Sequence, residues 1–149
     1  MLFSKTTGYG IRALAYLAKQ PKDSPRGLQE IAKHEGIPPL YLRKVLGELR
    51  RHRLLRSLKG IRGGYELARS AEDITLWDVF RVLEPDPYLD TCILGHRPCN
   101  AETACPLHED WLEIRKDMVR LLEHKTIAGI AGERSVAARG DQQEIHQDC

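Results

Sequence analysis

The sequence predicts a mainly α-helical fold with one small β-hairpin, and three patterns indicate it. Apolar residues recur at helical spacing in four segments before residue 84 and in a longer segment after residue 106. The second and third segments are joined by a short turn containing Gly36, which is typical of a helix-turn-helix. Two strand-like segments around a glycine-rich tip follow directly. A hairpin in that place is a wing, so we expect a winged helix-turn-helix over residues 1–83, followed by a long helix.

Local signals set the bounds of the first three helices. Ser4 is a suitable N-cap for a helix that runs to about Gln20 and is ended by Pro21. The second helix ends at Gly36, and the third begins at residues 38–39, because proline is tolerated in a first helical turn. The third helix has one core-facing stripe at i, i+3, i+4 and i+7, formed by Leu42, Val45, Leu46 and Leu49.

The hairpin and a fourth helix come next. Residues 54–58 and 65–68 are the strand candidates, and the glycines between them permit a compact tip with positive φ. Thr75 and Asp78 resemble a capping box, with Asp in place of the usual Glu or Gln. They open a helix that Pro85 and Pro87 end.

The C-terminal part is predicted as a loop over residues 84–106, a long helix with its end over 107–130, and a polar tail over 131–149. Gly129 and Gly132 are interpreted as part of a fraying end. The apolar residues of the long helix are spaced 4-3-4-3, the seam pattern of paired helices, and are Leu107, Trp111, Ile114, Met118 and Leu121. This spacing favours a homodimer, although a helix that faces its own core would look much the same.

Charge is segregated along the 149 residues, although the net charge is only +2. Residues 1–25 carry four Lys/Arg and one acid, and residues 26–69 carry eleven Lys/Arg and four acids. Residues 70–149 carry eight Lys/Arg and sixteen acids, a net charge of −8. A basic front indicates a polyanionic partner such as double-stranded DNA. No apolar run approaches the roughly 18–20 residues of a membrane span, and no secretory signal is visible, so we expect a cytoplasmic protein without a membrane partner.

The third helix is the predicted recognition helix, since the N-terminal part of such a helix normally enters the major groove. Its outward candidates for DNA contact are Leu40, Tyr41, Arg43, Lys44, Arg50 and Arg51. Arg43 is suited to reading guanine through its planar guanidinium, whereas Arg50, Arg51 and Arg53 are expected to hold phosphates. The wing candidates are Lys59, Arg62 and Gly63, with Arg62 placed to reach a minor groove.

Three of the four cysteines fall in one short segment, at Cys92, Cys99 and Cys105, and His108 follows one helical turn later. Clustered thiols and imidazoles indicate a metal or iron–sulfur site. Structural zinc sites usually contain a tight C-x2–4-C pair, which this spacing lacks, so an iron–sulfur cluster is favoured and zinc is the alternative. His96 is a second, less favoured histidine candidate.

The wing segment Gly60-x2-Gly63-Gly64-Tyr65-x-Leu67-Ala68-Arg69 and the cysteine triad together resemble the winged-helix repressors typified by IscR and NsrR, the Rrf-two family. The resemblance covers about residues 1–130. It implies a homodimeric repressor, palindromic or pseudo-palindromic promoter sites, and a two-iron or four-iron cluster. By this likeness Cys92, Cys99 and Cys105 are ligands, and His108 matches the histidine ligand of IscR-like members.

The chain departs from the family pattern at two places. Its first cysteine interval is one residue longer than in IscR-like members, and Gly8 stands where NsrR-like members carry an aspartate ligand. His108 or an exogenous ligand must therefore fill the fourth position. A thiol-based repressor that forms a disulfide stays an alternative to the cluster. An enzyme is not expected, since no substrate pocket, phosphate loop or nucleophile–base pair is recognisable.

Overall fold

The computed structural model describes residues 3–84, 89, 91–94, 102 and 104–132. Six helices and one two-stranded antiparallel sheet make up these parts. In chain order they are α1 (Lys5–Ala18), α2 (Leu28–Glu35), α3 (Pro39–Arg51), β1 (Leu55–Leu58), β2 (Gly64–Leu67), α4 (Leu76–Leu83), α5 (His108–His124) and α6 (Ile127–Gly132), with a 3-10 turn at Ala71–Asp73 before α4.

The first three helices begin and end where the local signals predict. The Ser4 hydroxyl accepts a hydrogen bond from the Thr7 backbone N–H at 3.2 Å and so caps α1. Gly36 ends α2 with φ of 63°, a left-handed conformation that glycine adopts without strain. A hydrogen bond from the Leu42 N–H to the Pro38 carbonyl closes the first turn of α3. The predicted winged helix-turn-helix is confirmed.

The core lies between α1, α3 and α4. The predicted α3 stripe is buried, and it packs with residues such as Leu14, Val79 and Phe80. On α1, Gly10 allows this close packing, because a Cβ there would lie 2.3 Å from Leu83 Cδ1. Large buried side chains from three helices therefore hold α3, the predicted recognition helix, against α1 and α4.

The wing is fastened to the rest of the domain by backbone pairing. Strands β1 and β2 pair from Leu55–Leu67 to Leu58–Gly64. The Arg26 N–H donates to the Tyr65 carbonyl at 2.9 Å, and the Tyr65 N–H donates to the Arg26 carbonyl at 2.8 Å. The segment before α2 thus continues the hairpin, and the wing cannot swing independently of the helix pair.

The C-terminal end of α5 differs from the sequence expectation. Helix α5 stops at His124, and Gly129 and Gly132 lie in the short helix α6 rather than in a fraying end. Thr126 pairs with Thr75, and the Ile127 N–H donates to the Ile74 carbonyl at 2.8 Å. Ile127 is fully buried, so this contact with a distant segment folds a glycine-rich stretch that lacks helix propensity of its own.

The capping box is confirmed: the Asp78 N–H donates to the Thr75 hydroxyl, and the Thr75 N–H donates to the Asp78 carboxylate, both at 3.1 Å.

Predictions for Pro85, Pro87, His96, Cys99 and residues 133–149 fall outside the described residues. Within the described part of the chain, no helix has both the length and the apolar character that crossing a bilayer requires.

Candidate nucleic-acid interface and cysteine segment

The outward face of α3 presents the predicted DNA-contact residues to solvent. Leu40 is 76% exposed and Tyr41 is 41% exposed at the N-terminal end of the helix, and Arg43 and Lys44 are exposed beside them. The geometry therefore suits insertion of this end into a groove.

Tyr41 is held in place by two residues of α1. Its hydroxyl lies 2.5 Å from the Thr6 hydroxyl, and its ring packs edge to face on Tyr9 with 5.6 Å between the ring centroids. The sequence analysis did not single out Thr6 and Tyr9 as site residues. They lie three residues apart on one face of α1. This spacing alone does not mark them as site residues, because their contact with Tyr41 depends on how α1 packs against α3.

The cations of this domain divide into paired and unpaired sets. Arg51 binds Glu48 at 3.0 Å, and Arg56 binds Glu66 at 2.6 Å. Arg50 donates to the Ser57 hydroxyl at 3.2 Å. In contrast, five of the predicted DNA-contact cations have neither an acidic partner nor a side-chain hydrogen bond among the described residues, and they are Arg43, Lys44, Arg53, Lys59 and Arg62. Unpaired cations are free to bind phosphates without first breaking an ion pair.

The wing tip is a tight turn closed by a hydrogen bond from the Gly63 N–H to the Gly60 carbonyl at 2.9 Å. Lys59, Ile61 and Arg62 are exposed on it. A Cβ at Gly63 would lie 2.3 Å from the Leu58 carbonyl oxygen, so this glycine shapes the turn. The two cations therefore project from a narrow backbone.

Arg26, whose backbone pairs with the wing, also has side-chain contacts that reach α2 and, through it, α1. The Glu30 carboxylate accepts hydrogen bonds from the Arg26 guanidinium at 3.0 Å and from the Tyr16 hydroxyl at 2.9 Å. Burial, together with the Glu30 carboxylate, raises the pKa of Tyr16 above the usual range of tyrosine.

Two cysteine-bearing segments meet at the first turn of α5. Cys92 and Cys105 are half-buried free thiols, and His108 is buried. The Cys105 carbonyl accepts from the His108 N–H at 2.9 Å, and the Trp111 indole N–H donates to the carbonyl of Thr91, the neighbour of Cys92, at 3.0 Å. These two hydrogen bonds bring both segments to one end of α5.

Thiols and an imidazole at one place are the donors that iron–sulfur clusters and zinc accept. Among the residues described, no three His, Cys, Asp or Glu side chains lie close enough together to hold a metal ion. Cys99, the third predicted cysteine ligand, falls outside that set. The donor types fit a cluster, and two of the three cysteines and the histidine share one end of α5.

Comparison with known proteins agrees with this fold. The Rrf2 family model, described as an iron-dependent transcriptional regulator, matches residues 3–133. Protein rrf2 of Nitratidesulfovibrio vulgaris is 31% identical over 139 residues, which cover 93% of each chain.

Two solved structures also superpose on the chain. CymR of B. subtilis, the global cysteine regulator of that organism, has a TM-score of 0.75 at 28% identity, over 87% of this chain and 95% of its own. IscR of T. potens has a TM-score of 0.69 at 29% identity, over 86% of this chain and 84% of its own. These relatives are regulators of transcription and not enzymes. The chain therefore belongs to the Rrf2 family and is a DNA-binding transcriptional regulator.

Proposed function

We propose that this regulator acts as a homodimer that binds palindromic or pseudo-palindromic promoter sites and represses transcription according to the state of an iron–sulfur cluster. Cys92, Cys99, Cys105 and His108 are the proposed ligands. The observation that carries the proposal is the meeting of the two described cysteine segments at the first turn of α5, on a helix that packs against α4 of the winged domain.

The N-terminal end of α3 reads the major groove in this proposal. Arg43 contacts a base edge, with Tyr41 and Lys44 on bases or nearby phosphates. Arg50 and Arg51 hold phosphates after exchanging their present partners for DNA. Lys59 and Arg62 bring the wing to the minor groove, and Leu40 and Gly63 contribute apolar and backbone contacts.

Thiolates supply the charge that an iron–sulfur cluster needs, and a cluster brings redox sensitivity to the loop. His108 is already fixed at the start of α5 by its backbone bond to Cys105. Gain or loss of the cluster would therefore shift residues 84–106 relative to α4 and α5. Operator affinity then follows whichever of the two arrangements the cluster favours.

Helix α5 also carries the proposed dimer contact. Leu107, Ile114 and Leu121 are 43%, 50% and 48% exposed, and they lie seven residues apart. Leu122 is buried, and Met118, which is predicted in the seam and lies one turn from Ile114, instead packs against the core of its own chain. A helix with one face in the core and a heptad stripe left in solvent is suited to pairing with a second copy.

The cluster is tested on protein purified without oxygen, by measuring iron, acid-labile sulfide, zinc and the visible spectrum. We expect iron and sulfide in near-equal amounts and broad visible absorption. Cys105→Ala should lose both, whereas Cys149→Ala, which removes the cysteine outside the triad, should retain them. Iron content that is unchanged in Cys105→Ala would overturn the ligand assignment.

The two alternatives give different results in the same preparation. Colourless protein with one stoichiometric zinc supports a zinc site. Metal-free protein that reversibly loses free thiols on oxidation supports a disulfide switch. Either result leaves the DNA-binding assignment in place and removes the cluster mechanism.

The dimer is tested by light scattering on two charge variants of α5. Ile114→Asp places a carboxylate in the exposed stripe and should convert a dimer into a monomer. Lys116→Asp places the same carboxylate at an exposed position outside the stripe and should remain dimeric. A dimeric Ile114→Asp protein would show that another surface makes the contact.

A further inference from the structure

Ile61 is the most exposed large apolar side chain in the described residues, at 106% of its reference area. It occupies the second position of the wing-tip turn that the Gly63–Gly60 hydrogen bond closes. Single exposed apolar residues are common on protein surfaces. The position of this one, at the far end of a fixed and narrow support, distinguishes it from the others.

The wing-tip turn is narrow because three of its positions favour glycine. Gly60 has φ of 107°, in the region that favours glycine. A Cβ on Gly63 would lie 2.3 Å from the Leu58 carbonyl oxygen, and one on Gly64 would lie 2.5 Å from the Arg26 carbonyl oxygen. The tip therefore consists of bare backbone apart from the side chains of Lys59, Ile61 and Arg62.

The charge around Ile61 favours a nucleic-acid groove. Lys59 and Arg62 flank it, both exposed and without an acidic partner among the described residues. The minor groove of B-DNA is about 6 Å wide, and where it narrows over A·T pairs its negative potential attracts such cations. If Lys59 and Arg62 enter this groove, Ile61 must enter it too, because it lies between them on the turn.

We propose that Ile61 packs against base edges in the minor groove and makes the wing selective for A·T pairs, a role that rests on the DNA-binding function above. A G·C pair places the guanine N2 amino group on the groove floor. Isoleucine would take that donor out of water and offers no acceptor, which penalises the complex. An A·T pair has no such donor, so the isoleucine packs there without penalty.

The first experiment selects binding sites for the full chain from duplexes with about 30 random base pairs, room for two half-sites one helical turn apart. The wild type should enrich a major-groove core together with A·T pairs at the positions that face the wing. Ile61→Ser should enrich the same core without the A·T preference. Leu58→Ser, a change on the same hairpin at the last strand pair before the tip, should keep both.

Inosine provides the decisive measurement. Its base is guanine without the N2 amino group, so an inosine·C pair matches a G·C pair in the major groove and differs from it only in the minor groove. Replacing A·T by G·C at a wing-facing position should weaken wild-type binding on the order of tenfold, and inosine·C should restore it. Ile61→Ser should bind all three duplexes within about twofold of one another, with an unchanged salt slope, since an apolar contact releases no counterions.

The outcomes separate this inference from the proposed function. If the wild type enriches a core but Ile61→Ser keeps the A·T preference and the inosine response, Ile61 does not read the groove and the inference fails alone. If the wild type enriches no sequence, sequence-specific binding and this inference fail together. Ile61 is fully exposed among the described residues, so the serine variant should fold like the wild type, as a thermal melt will verify.

Discussion

The buried carboxylate of Glu84 accepts a hydrogen bond of 2.6 Å from the hydroxyl of Thr7. The same oxygen accepts from the Ser4 backbone N–H at 2.8 Å, at the positive end of α1. Thr6, the residue before Thr7 in that turn, contacts Tyr41 of α3. The first turn of α1 therefore touches both the residue that opens the cysteine-bearing segment and a residue expected to contact DNA.

Thr7→Val tests the energetic weight of this contact. Valine keeps the shape of threonine but removes the donor, leaving the Glu84 carboxylate buried with one partner fewer. We expect the free energy of unfolding to fall by about 1–3 kcal/mol. Urea unfolding will measure it, and combination with Glu84→Gln in a double-mutant cycle will isolate the coupling between the two side chains.

Thr6→Val is the matched control one residue earlier. Its hydroxyl bond to Tyr41 is exposed, so unfolding should change by less than about 1 kcal/mol. DNA affinity should fall in this variant, because Tyr41 loses the partner that orients it. Equal destabilisation by the two valine substitutions would show that the hydrogen bond to the buried carboxylate adds no more to the free energy of unfolding than the exposed one.

Two glycines in α1 should respond in opposite ways to alanine. Gly8 has nothing within 4 Å of a Cβ, so Gly8→Ala should stabilise the protein by about 1 kcal/mol through helix propensity. Gly10→Ala would place a methyl group 2.3 Å from Leu83 Cδ1 in the core, and overpacking should destabilise it by about 1–3 kcal/mol. Thermal melts of both variants will show the sign. Stabilisation by Gly10→Ala would mean that Leu83 repacks freely.

The sequence predicts the elements whose signals are local. Ser4, Gly36 and Thr75 act through neighbours within four residues, and each ends or begins a helix as the sequence predicts. Helix α6 depends instead on Ile127 pairing with Ile74, more than fifty residues away in the chain. No periodicity within residues 127–132 reveals that contact.

The candidate site divides in the same way. Exposure of Leu40 and Arg43 follows from helical periodicity and is confirmed. Which cations are already paired does not follow, because the Arg56–Glu66 bridge depends on the register of the hairpin. The roles of Cys92, Cys99, Cys105 and His108 stay predictions, as do those of the DNA-contact residues.

Arg53 carries a backbone conformation that suits glycine. Its φ is 59°, just after the end of α3. In this left-handed region the Cβ of an arginine is sterically strained. Arg53→Gly should raise the free energy of unfolding by up to about 1 kcal/mol and, if Arg53 holds a phosphate, reduce DNA affinity and the salt slope. Urea unfolding and titrations at several salt concentrations measure both.

Asp23 provides the comparison for Arg53, since its φ is 55° and aspartate tolerates this region better than arginine. Asp23→Gly should therefore gain less stability than Arg53→Gly. A larger gain at Asp23 would show that left-handed strain is not what distinguishes the arginine.

Arg43 and Arg51 lie on the same helix but differ in their surroundings. Arg43 is exposed without an acidic partner among the described residues, whereas Arg51 binds Glu48 at 3.0 Å. Arg43→Ala should weaken specific binding by about 1–3 kcal/mol and relax sequence preference at one base pair, because a bidentate guanine contact is lost.

Arg51→Ala should weaken specific and random DNA to the same extent, and by less, since Arg51 must leave Glu48 before it can hold a phosphate. Competition titrations with specific and random duplexes at fixed salt separate the two effects. If Arg43→Ala weakens both duplexes equally, Arg43 contacts a phosphate. Base reading would then fall to Tyr41 and Lys44, the other exposed polar side chains at that end of α3.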